Sequence, residues 1–354
     1  MEAPPALNID PPLLNSANPW ATSYDDLQAL FECPSTGAVT TRTALLEGFL
    51  HNSAIHQYTF FDPATHRTAS AAWPRTPGSG DGDTTASASL NTLGYSPIPL
   101  SKYLEFIAAL SKSSAASKKP KPIIVSVTGS VDAVVECYGN IADTAHGLEI
   151  SLAVEVNLSC PNIPNAPPPA YDGEALQRYL NALAAAAARH QAPVPWGVKT
   201  PPYTHAGQFE MLGAALRAAV PASGGCCPVS FVTATNTLGS CLVLEPDSTP
   251  GGKRGGNVPK LAGNTHGIGG MAGAPLHPLA LGNVATLRRM LDAAPETRHV
   301  RIIGVGGVED ADGYRRMRDV GAYAVGIGTA LGRKGVAVFK EIEDGLREGD
   351  EVVW

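Results

Sequence analysis

The sequence predicts an α/β fold and, within that class, a single (β/α)8 TIM barrel. From residue 121 onward, short apolar runs rich in β-branched residues alternate with segments of helical pattern, an alternation typical of parallel sheets. Glycine-rich turns follow the last two predicted strands, where barrels keep phosphate-binding loops. The chain of 354 residues has ample length for a barrel. A doubly wound sheet is the alternative architecture.

Eight strand–helix units are predicted in chain order. Early strands are expected at 11–19 and 36–43, with a helix at 24–32 after the first. The later strands are expected at 122–127, 149–158, 194–199, 229–235, 300–305 and 322–327. Helices are expected at 131–142, 174–190, 207–219, 276–293, 310–319 and 332–347. The alanine-rich segment 180–188 has a particularly high helix propensity.

The length allows one large domain or two average ones, and the barrel prediction favours a single globular domain over residues 1–354. Hydrophobic residues make up 44% of the chain, as in ordinary globular proteins. Residues 70–89 are rich in Ser, Thr, Gly, Pro and Asp, so this low-complexity segment is expected to be a disordered insertion within the barrel.

Charge and patterning exclude several classes of function. A net charge of -6 argues against nucleic-acid or acidic-membrane binding. Because no apolar stretch reaches membrane-spanning length and the N-terminus lacks a signal-type pattern, a cytoplasmic location is expected. The six cysteines show neither a disulfide framework nor the spacing of a metal site, so no metal is expected.

The segment 154–162 is the most informative for chemistry. It begins as an apolar strand and continues as Asn157-Leu158-Ser159-Cys160-Pro161-Asn162. Parallel strands carry functional groups at their carboxyl ends, and here two amides flank a thiol that can act as acid or base. The alternative is that Asn and Pro build a turn while Cys160 packs as a small apolar residue.

Two Asn-Thr-Leu-Gly segments and one lysine extend this pattern. The segments begin at Asn91 and Asn236, and Thr237 follows the second asparagine. Together with Asn157 and Asn162 they supply four amides, which suit a neutral planar heterocycle bound by hydrogen bonds. Lys199 ends a predicted strand, where its burial is costly unless an anion meets it; the alternative is a lysine whose ammonium reaches solvent at the strand rim.

Two glycine turns predict a site for a phosphate-bearing ligand, and a third glycine turn is ambiguous. The turns at 304–307 and 326–329 follow consecutive predicted strands, where glycine lets the backbone approach an anion closely. They lack the Rossmann pattern. The turn containing Gly269 and Gly270 could cover a cofactor ring or only close a loop.

These residues resemble the dihydroorotate dehydrogenase family, in particular its soluble, fumarate-linked class 1A branch. The resemblance runs from residue 11 to about 346, except for 70–89 and 248–264, and is most specific at 157–162. The membrane-bound branch has serine at the position of Cys160. The resemblance implies an FMN-containing barrel that oxidises dihydroorotate to orotate in pyrimidine synthesis and reduces fumarate, with a homodimer expected.

The resemblance also implies roles for individual residues. Cys160 would remove the proton from substrate C5 while C6 delivers hydride to flavin N5, and Lys199 would stabilise reduced flavin. Substrate would be held by Asn91, Leu93, Gly94, Asn157, Asn162, Asn236 and Thr237. FMN would be held by Ser16, Ala17, Arg42, Asn157, Lys199, Gly269, Gly270, Gly306, Gly307, Gly328 and Thr329.

The chain departs from the family pattern at three places. Arg42 replaces a lysine, Ser16-Ala17-Asn18 replaces an Ala-Ser-Gly segment, and the excursion 245–265 is rich in Gly, Pro and Lys. Two alternative functions therefore stay open. One is an FMN oxidoreductase of another pyrimidine, as in dihydropyrimidine dehydrogenase or tRNA dihydrouridine synthase. The other is a catalytically silent flavin-binding protein.

Overall fold

A computed structural model describes residues 4–69, 85–113, 121–160, 168–247, 256–262 and 266–348. In chain order its strands are β1 (Leu13–Asn15), β2 (Val39–Thr40), β3 (Tyr58–Phe61), β4 (Ala88–Asn91), β5 (Ile123–Val127), β6 (Leu152–Asn157), β7 (Trp196–Thr200), β8 (Phe231–Ala234), β9 (Leu238–Cys241), β10 (Leu244–Pro246), β11 (Asn257–Pro259), β12 (Gly269–Gly273), β13 (Arg301–Val305) and β14 (Ala324–Ile327). Its α-helices are α1 (Tyr24–Glu32), α2 (Leu100–Ser113), α3 (Val131–Ala145), α4 (Gly173–Arg189), α5 (Ala206–Ala218), α6 (His277–Asp292), α7 (Ala311–Asp319), α8 (Thr329–Lys334) and α9 (Ala337–Arg347).

The eight parallel strands of the main sheet form the predicted barrel. Their order is β1-β14-β13-β8-β7-β6-β5-β2, so the sheet runs from the first strand of the chain through the last strand and back to β2. The two edge strands meet in a parallel bridge between Leu14 and Ala38. The (β/α)8 prediction is therefore confirmed.

A buried asparagine strengthens the short β1–β2 seam. The Asn15 side chain is inaccessible to solvent; its Nδ2 donates to Thr40 O at 2.6 Å, and its Oδ1 accepts from Thr40 N at 2.9 Å. The side-chain amide thus supplies the pair of hydrogen bonds that a neighbouring backbone would make in a longer ladder.

The barrel interior is apolar at one end and polar at the other. A buried apolar cluster fills the interior and includes Leu7 and Ile9 from the chain's N-terminal segment. Leu7 O accepts a hydrogen bond from Arg301, the first residue of β13, and Ile9 N donates to the Tyr323 hydroxyl just before β14. These contacts place the N-terminal segment at the amino ends of the strands, so a ligand site is left to the carboxyl ends.

A second, antiparallel sheet was not predicted. Its order is β3-β4-β12-β9, and it joins segments that are far apart in the chain. β4 begins at Ala88, which is fully buried, so the last residues of the expected 70–89 insertion are ordered sheet. Residues 70–84 lie outside the described residues.

Several element boundaries also differ from the predictions. β1 and β2 are shorter than the predicted strands, and α2 was not predicted. The helix predicted at 332–347 is two helices, α8 and α9, separated at Gly335, whose φ of 68° ends α8. Within the described ranges, no helix is long and apolar enough to cross a membrane.

Candidate active site

One large cavity lies at the carboxyl ends of the barrel strands. Its empty volume is about 1020 Å³, a volume that includes its open mouth. Barrel loops form part of its wall, and the antiparallel sheet β3-β4-β12-β9, called the accessory sheet below, contributes Tyr58, Ser89, Asn91, Ala272 and Gly273. Of the residues predicted to act on substrate or cofactor, the cavity is lined by Ser16, Ala17, Arg42, Asn91, Leu93, Gly94, Asn157, Cys160, Lys199, Asn236, Thr237, Gly306, Gly307, Gly328 and Thr329.

The amides of Asn157 and Asn236 meet directly, although they follow different strands. Asn157 Oδ1 accepts from Asn236 Nδ2 at 3.2 Å and from Ser159 Oγ at 3.0 Å. Asn157 Nδ2 donates to Thr43 Oγ1 at 3.0 Å. Because both amides are held by fixed partners, they present preset donors and acceptors to a ligand.

Asn91 reaches the same cavity from β4. Its Nδ2 donates to Gly270 O at 3.1 Å, and its Oδ1 accepts from Leu93 N at 3.2 Å. The accessory sheet therefore sets the position of this amide. Asn162 lies in 161–167, outside the described residues.

Gly269 and Gly270, predicted to contact cofactor, lie on β12 outside the cavity lining. A Cβ on Gly269 would lie 2.2 Å from Asn91 O, and one on Gly270 would lie 2.2 Å from Thr237 Oγ1. The two glycines permit close packing of the accessory sheet against its neighbours. The part of β12 that faces the cavity is Ala272 and Gly273.

Two cations give the cavity a positive character. Lys199 is only 3% exposed, and its ammonium has no hydrogen bond or ion pair with any residue that the structure describes. Arg42 donates to Gly94 O at 3.2 Å, and burial lowers its pKa. Among the described residues, no carboxylate lines the cavity. Since a buried cation is costly unless it is compensated, this pocket suits an anionic or electron-rich ligand.

The Cys160 thiol is placed in the cavity and not in the apolar core. Cys160 is partly exposed and belongs to the cavity lining. Two groups face it and interact with it electrostatically: the Tyr95 hydroxyl and the Arg42 guanidinium. A hydrogen-bond donor and a cation beside a thiol favour its thiolate form, the form that removes protons.

Glycines of the last two barrel loops form a further part of the cavity lining. Gly306 and Gly307 have φ values of 144° and 68°, which strongly favour glycine. A Cβ on Gly307 would lie 2.6 Å from Gly273 O, so this backbone is packed closely. Gly328 and Thr329 line the same region, and Thr329 Oγ1 shares a hydrogen bond of 2.9 Å with Ser89 Oγ.

A buried histidine holds the first of these loops. His277 Nδ1 lies 2.7 Å from Gly306 O, and Arg316 Nε donates to His277 Nε2 at 3.1 Å. Because Nε2 accepts, the proton of the neutral imidazole is on Nδ1, which donates to Gly306 O. The ring thus fixes the orientation of the Gly306–Gly307 peptide.

The sequence-based predictions missed three aromatic residues of the lining: Trp20, Tyr58 and Tyr95. Trp20 stacks on Phe60, with ring centroids 5.8 Å apart and an interplanar angle of 17°. The only sequence signal was proximity, since Trp20 follows the Ser16–Asn18 segment and Tyr95 follows Gly94.

Metal ligands do not assemble in the described parts of the chain, where no group of three or more His, Cys, Asp or Glu side chains could hold an ion. In the part of the lining that the structure describes, the cavity contains one thiol and two cations; its other polar groups are amides, hydroxyls, backbone and the Trp20 indole.

Fold and site together define a (β/α)8-barrel protein with a cationic, amide-rich ligand site at the carboxyl ends of its strands. The chain belongs to the dihydroorotate dehydrogenase family, whose family model matches residues 82–349. The resemblance inferred from the sequence is confirmed.

Relatives and a solved structure agree with this membership. The chain is 33% identical over 262 residues to dihydroorotate dehydrogenase (fumarate) of Trypanosoma cruzi, covering 73% of this chain and 72% of the relative. It is 30% identical over 262 residues to dihydroorotate dehydrogenase A (fumarate) of Lactococcus lactis subsp. cremoris, covering 73% of each. The crystal structure of DHODH from Eimeria tenella in complex with ferulenol superposes with a TM-score of 0.64 at 15% identity, covering 96% of this chain and 83% of that chain. That structural likeness supports the shared fold.

Proposed function

We propose that this protein is an FMN-dependent oxidoreductase that converts (S)-dihydroorotate to orotate in de novo pyrimidine synthesis and passes the electrons to fumarate. Family membership supports the reaction, and the relatives named above support fumarate as the acceptor. The observation that carries the proposal is the shared cavity of Cys160, Asn157, Asn236 and Lys199, because these groups supply a base, ring recognition and an electrostatic partner in one place.

The cavity fits FMN by the chemistry of its donors. The backbone at Gly306 and Gly307, with Gly328 and Thr329, would hold the phosphate, since side chains at both positive-φ glycines are excluded. Ser16 and Ala17 would lie along the flavin. When bound, FMN supplies a two-electron acceptor for a hydride at N5. Lys199, buried without a described partner, would stabilise negative charge that develops on the ring.

The amides explain recognition of the substrate. Dihydroorotate presents a cyclic imide with alternating donors and acceptors, together with a carboxylate. Asn91, Asn157 and Asn236 offer both donors and acceptors from positions held by hydrogen bonds. The cationic lining favours the carboxylate. Asn162, by the family pattern, would complete this set.

Cys160 is proposed as the general base. The thiolate takes the proton from substrate C5, forming the S–H bond, and the electrons of the C5–H bond form the C5=C6 double bond as hydride leaves C6. Arg42 and Tyr95 face the sulfur and would hold its anionic form before the substrate binds.

Anaerobic titration tests the proposal most directly. The purified holoprotein should be yellow, dihydroorotate should bleach the flavin absorbance, and fumarate should restore it. The Cys160→Ala variant should retain FMN but lose most of the rate of bleaching. A folded preparation that neither contains nor takes up FMN would overturn the cofactor assignment. A yellow protein that dihydroorotate does not reduce would overturn the substrate.

Arg42 favours one second candidate, an FMN oxidoreductase acting on another dihydropyrimidine. Arginine presents a planar fork in place of the point charge of a lysine, and here it is oriented by Gly94 O. Bleaching by dihydrouracil but not by dihydroorotate would support this candidate over the first.

The family resemblance further supports a cytoplasmic homodimer built from a single domain. Light scattering of the purified protein tests the assembly, and a monomer at all concentrations would contradict it. Limited proteolysis tests the domain assignment, since one domain should yield one protected core.

A further inference from the structure

Tyr95 faces the proposed base from a backbone segment that is held on both sides. Before it, Gly94 O accepts from Arg42 at 3.2 Å. After it, Ser96 N donates to Thr43 O, and Phe49 N donates to Ser96 O, both at 2.8 Å. The Tyr95 ring meets Phe49 edge-on, with centroids 5.9 Å apart and an interplanar angle of 87°. The phenol therefore has a defined direction into the cavity that it lines with Cys160.

The hydroxyl of Tyr95 lies near two side chains that affect its ionisation, Thr128 and Cys160. Thr128 Oγ1 donates to Asn157 O at 2.8 Å, so its single proton is engaged and its oxygen can only accept from Tyr95. Cys160 as a thiolate can also only accept. The Tyr95 proton thus lies between a neutral acceptor and a sulfur that becomes anionic.

The tyrosine keeps its proton throughout the working range. Burial raises the pKa of Tyr95, and the neighbouring Cys160 raises it further. A phenol that stays protonated is a permanent donor. Hydrogen bonds to charged groups are about twice as strong as bonds between neutral groups, so the Tyr95 donor stabilises the thiolate more than the thiol.

We propose that Tyr95 is a positioning residue for Cys160, whose hydroxyl donates to the sulfur and holds its anionic form toward the substrate. The proposal rests on the assignment of Cys160 as the base. The new donor is the residue that follows the segment Asn91–Gly94. The stretch that supplies Asn91 for the substrate would therefore also stabilise the thiolate of the base.

Other ionisable groups near Cys160 and Tyr95 also affect the thiolate. Arg42 faces Cys160, Lys199 and Tyr58 line the same cavity, and Tyr179 faces Tyr95. In the described part of the lining no carboxylate opposes the thiolate. Since Arg42 remains when the Tyr95 hydroxyl is removed, the thiolate should be weakened and not abolished.

The test is the pH dependence of Cys160 alkylation in the holoprotein, followed by mass spectrometry of the peptide that carries Cys160 with iodoacetamide as the probe. Tyr95→Phe removes only the hydroxyl and should move the alkylation midpoint upward by about one pH unit, an approximately tenfold loss of thiolate below the midpoint. The pH profile of flavin reduction by dihydroorotate should move in the same direction.

Tyr179→Phe is the matched control. It also removes one phenol hydroxyl near this site, but that hydroxyl donates to Gly129 O at 2.6 Å, so the midpoint should stay at the wild-type value. A second variant, Tyr95→Leu, removes the ring as well. If Tyr95→Leu moves the midpoint while Tyr95→Phe does not, ring packing and not the hydroxyl acts on Cys160, and the proposal is overturned.

Alkylation needs no substrate, so this test is separate from the proposed function. A shifted midpoint in a protein that fails to oxidise dihydroorotate would support the positioning role and reject the reaction. Normal dihydroorotate oxidation with identical midpoints for wild type and Tyr95→Phe would reject the positioning role alone.

Discussion

Replacing Gly307 with alanine should damage both the stability of the barrel and its proposed FMN site. Gly307 has a φ of 68°, a conformation that costs an L-residue about 1–2 kcal/mol. The new Cβ would also lie 2.6 Å from Gly273 O and 2.7 Å from His277 Cβ. Because these atoms belong to packed backbone and a buried ring, relief requires movement of the loop, for which overpacking costs of about 1–3 kcal/mol are typical.

Gly224→Ala separates the two costs. Gly224 has a φ of 81°, and a Cβ built on it meets no atom within 4 Å, so this variant carries backbone strain alone. Urea-induced unfolding of both variants should show Gly307→Ala less stable than Gly224→Ala by about 1–3 kcal/mol. Gly307→Ala should also lose bound FMN on gel filtration, whereas Gly224→Ala should retain it. Equal stability and equal FMN content of the two variants would refute the close packing argued for this loop.

Three further predictions concern the site and the seam of the barrel. Lys199→Met removes the buried ammonium, and we expect slower flavin reduction and a lower flavin reduction potential, measured by anaerobic dye equilibration. An unchanged potential would show that Lys199 does not act on the flavin. Asn157→Ala should raise the Kd of orotate more than that of FMN, by calorimetry, and an equal loss of both would mean that the pocket is misassigned. Asn15→Ala leaves Thr40 N and O unpaired at the seam, so unfolding free energy should fall by about 2–5 kcal/mol; a loss below about 0.5 kcal/mol would show that water replaces the amide.

The barrel was predictable because its signals are local. Apolar β-branched runs such as Ile123–Val127 mark buried parallel strands, and the helices between them have their own pattern. The accessory sheet had no such signal. Its strands are short, and the pairing of Asn91 with Gly270 joins distant segments, so neither strand is defined until the other is in place.

In the site, too, the parts set by local signals were predictable and the parts set by distant pairing were not. The side chains at the ends of β6 and β7 share one cavity because parallel strands bring their carboxyl ends together. Asn91 reaches the cavity through the accessory sheet, and Gly269 and Gly270 lie on β12 of that same unpredicted sheet. Tyr95 was missed because an aromatic residue beside a glycine has no pattern that distinguishes packing from chemistry.

The first barrel strand, β1, pairs with the last one, β14. Leu13 pairs with Val325, so the barrel cannot close during synthesis until its final strand has emerged. The Gly328–Thr329 turn follows that strand directly, and its neighbour Ser16 belongs to the loop after β1. A ligand site at this turn would therefore be complete only after the first and the last barrel strands have paired.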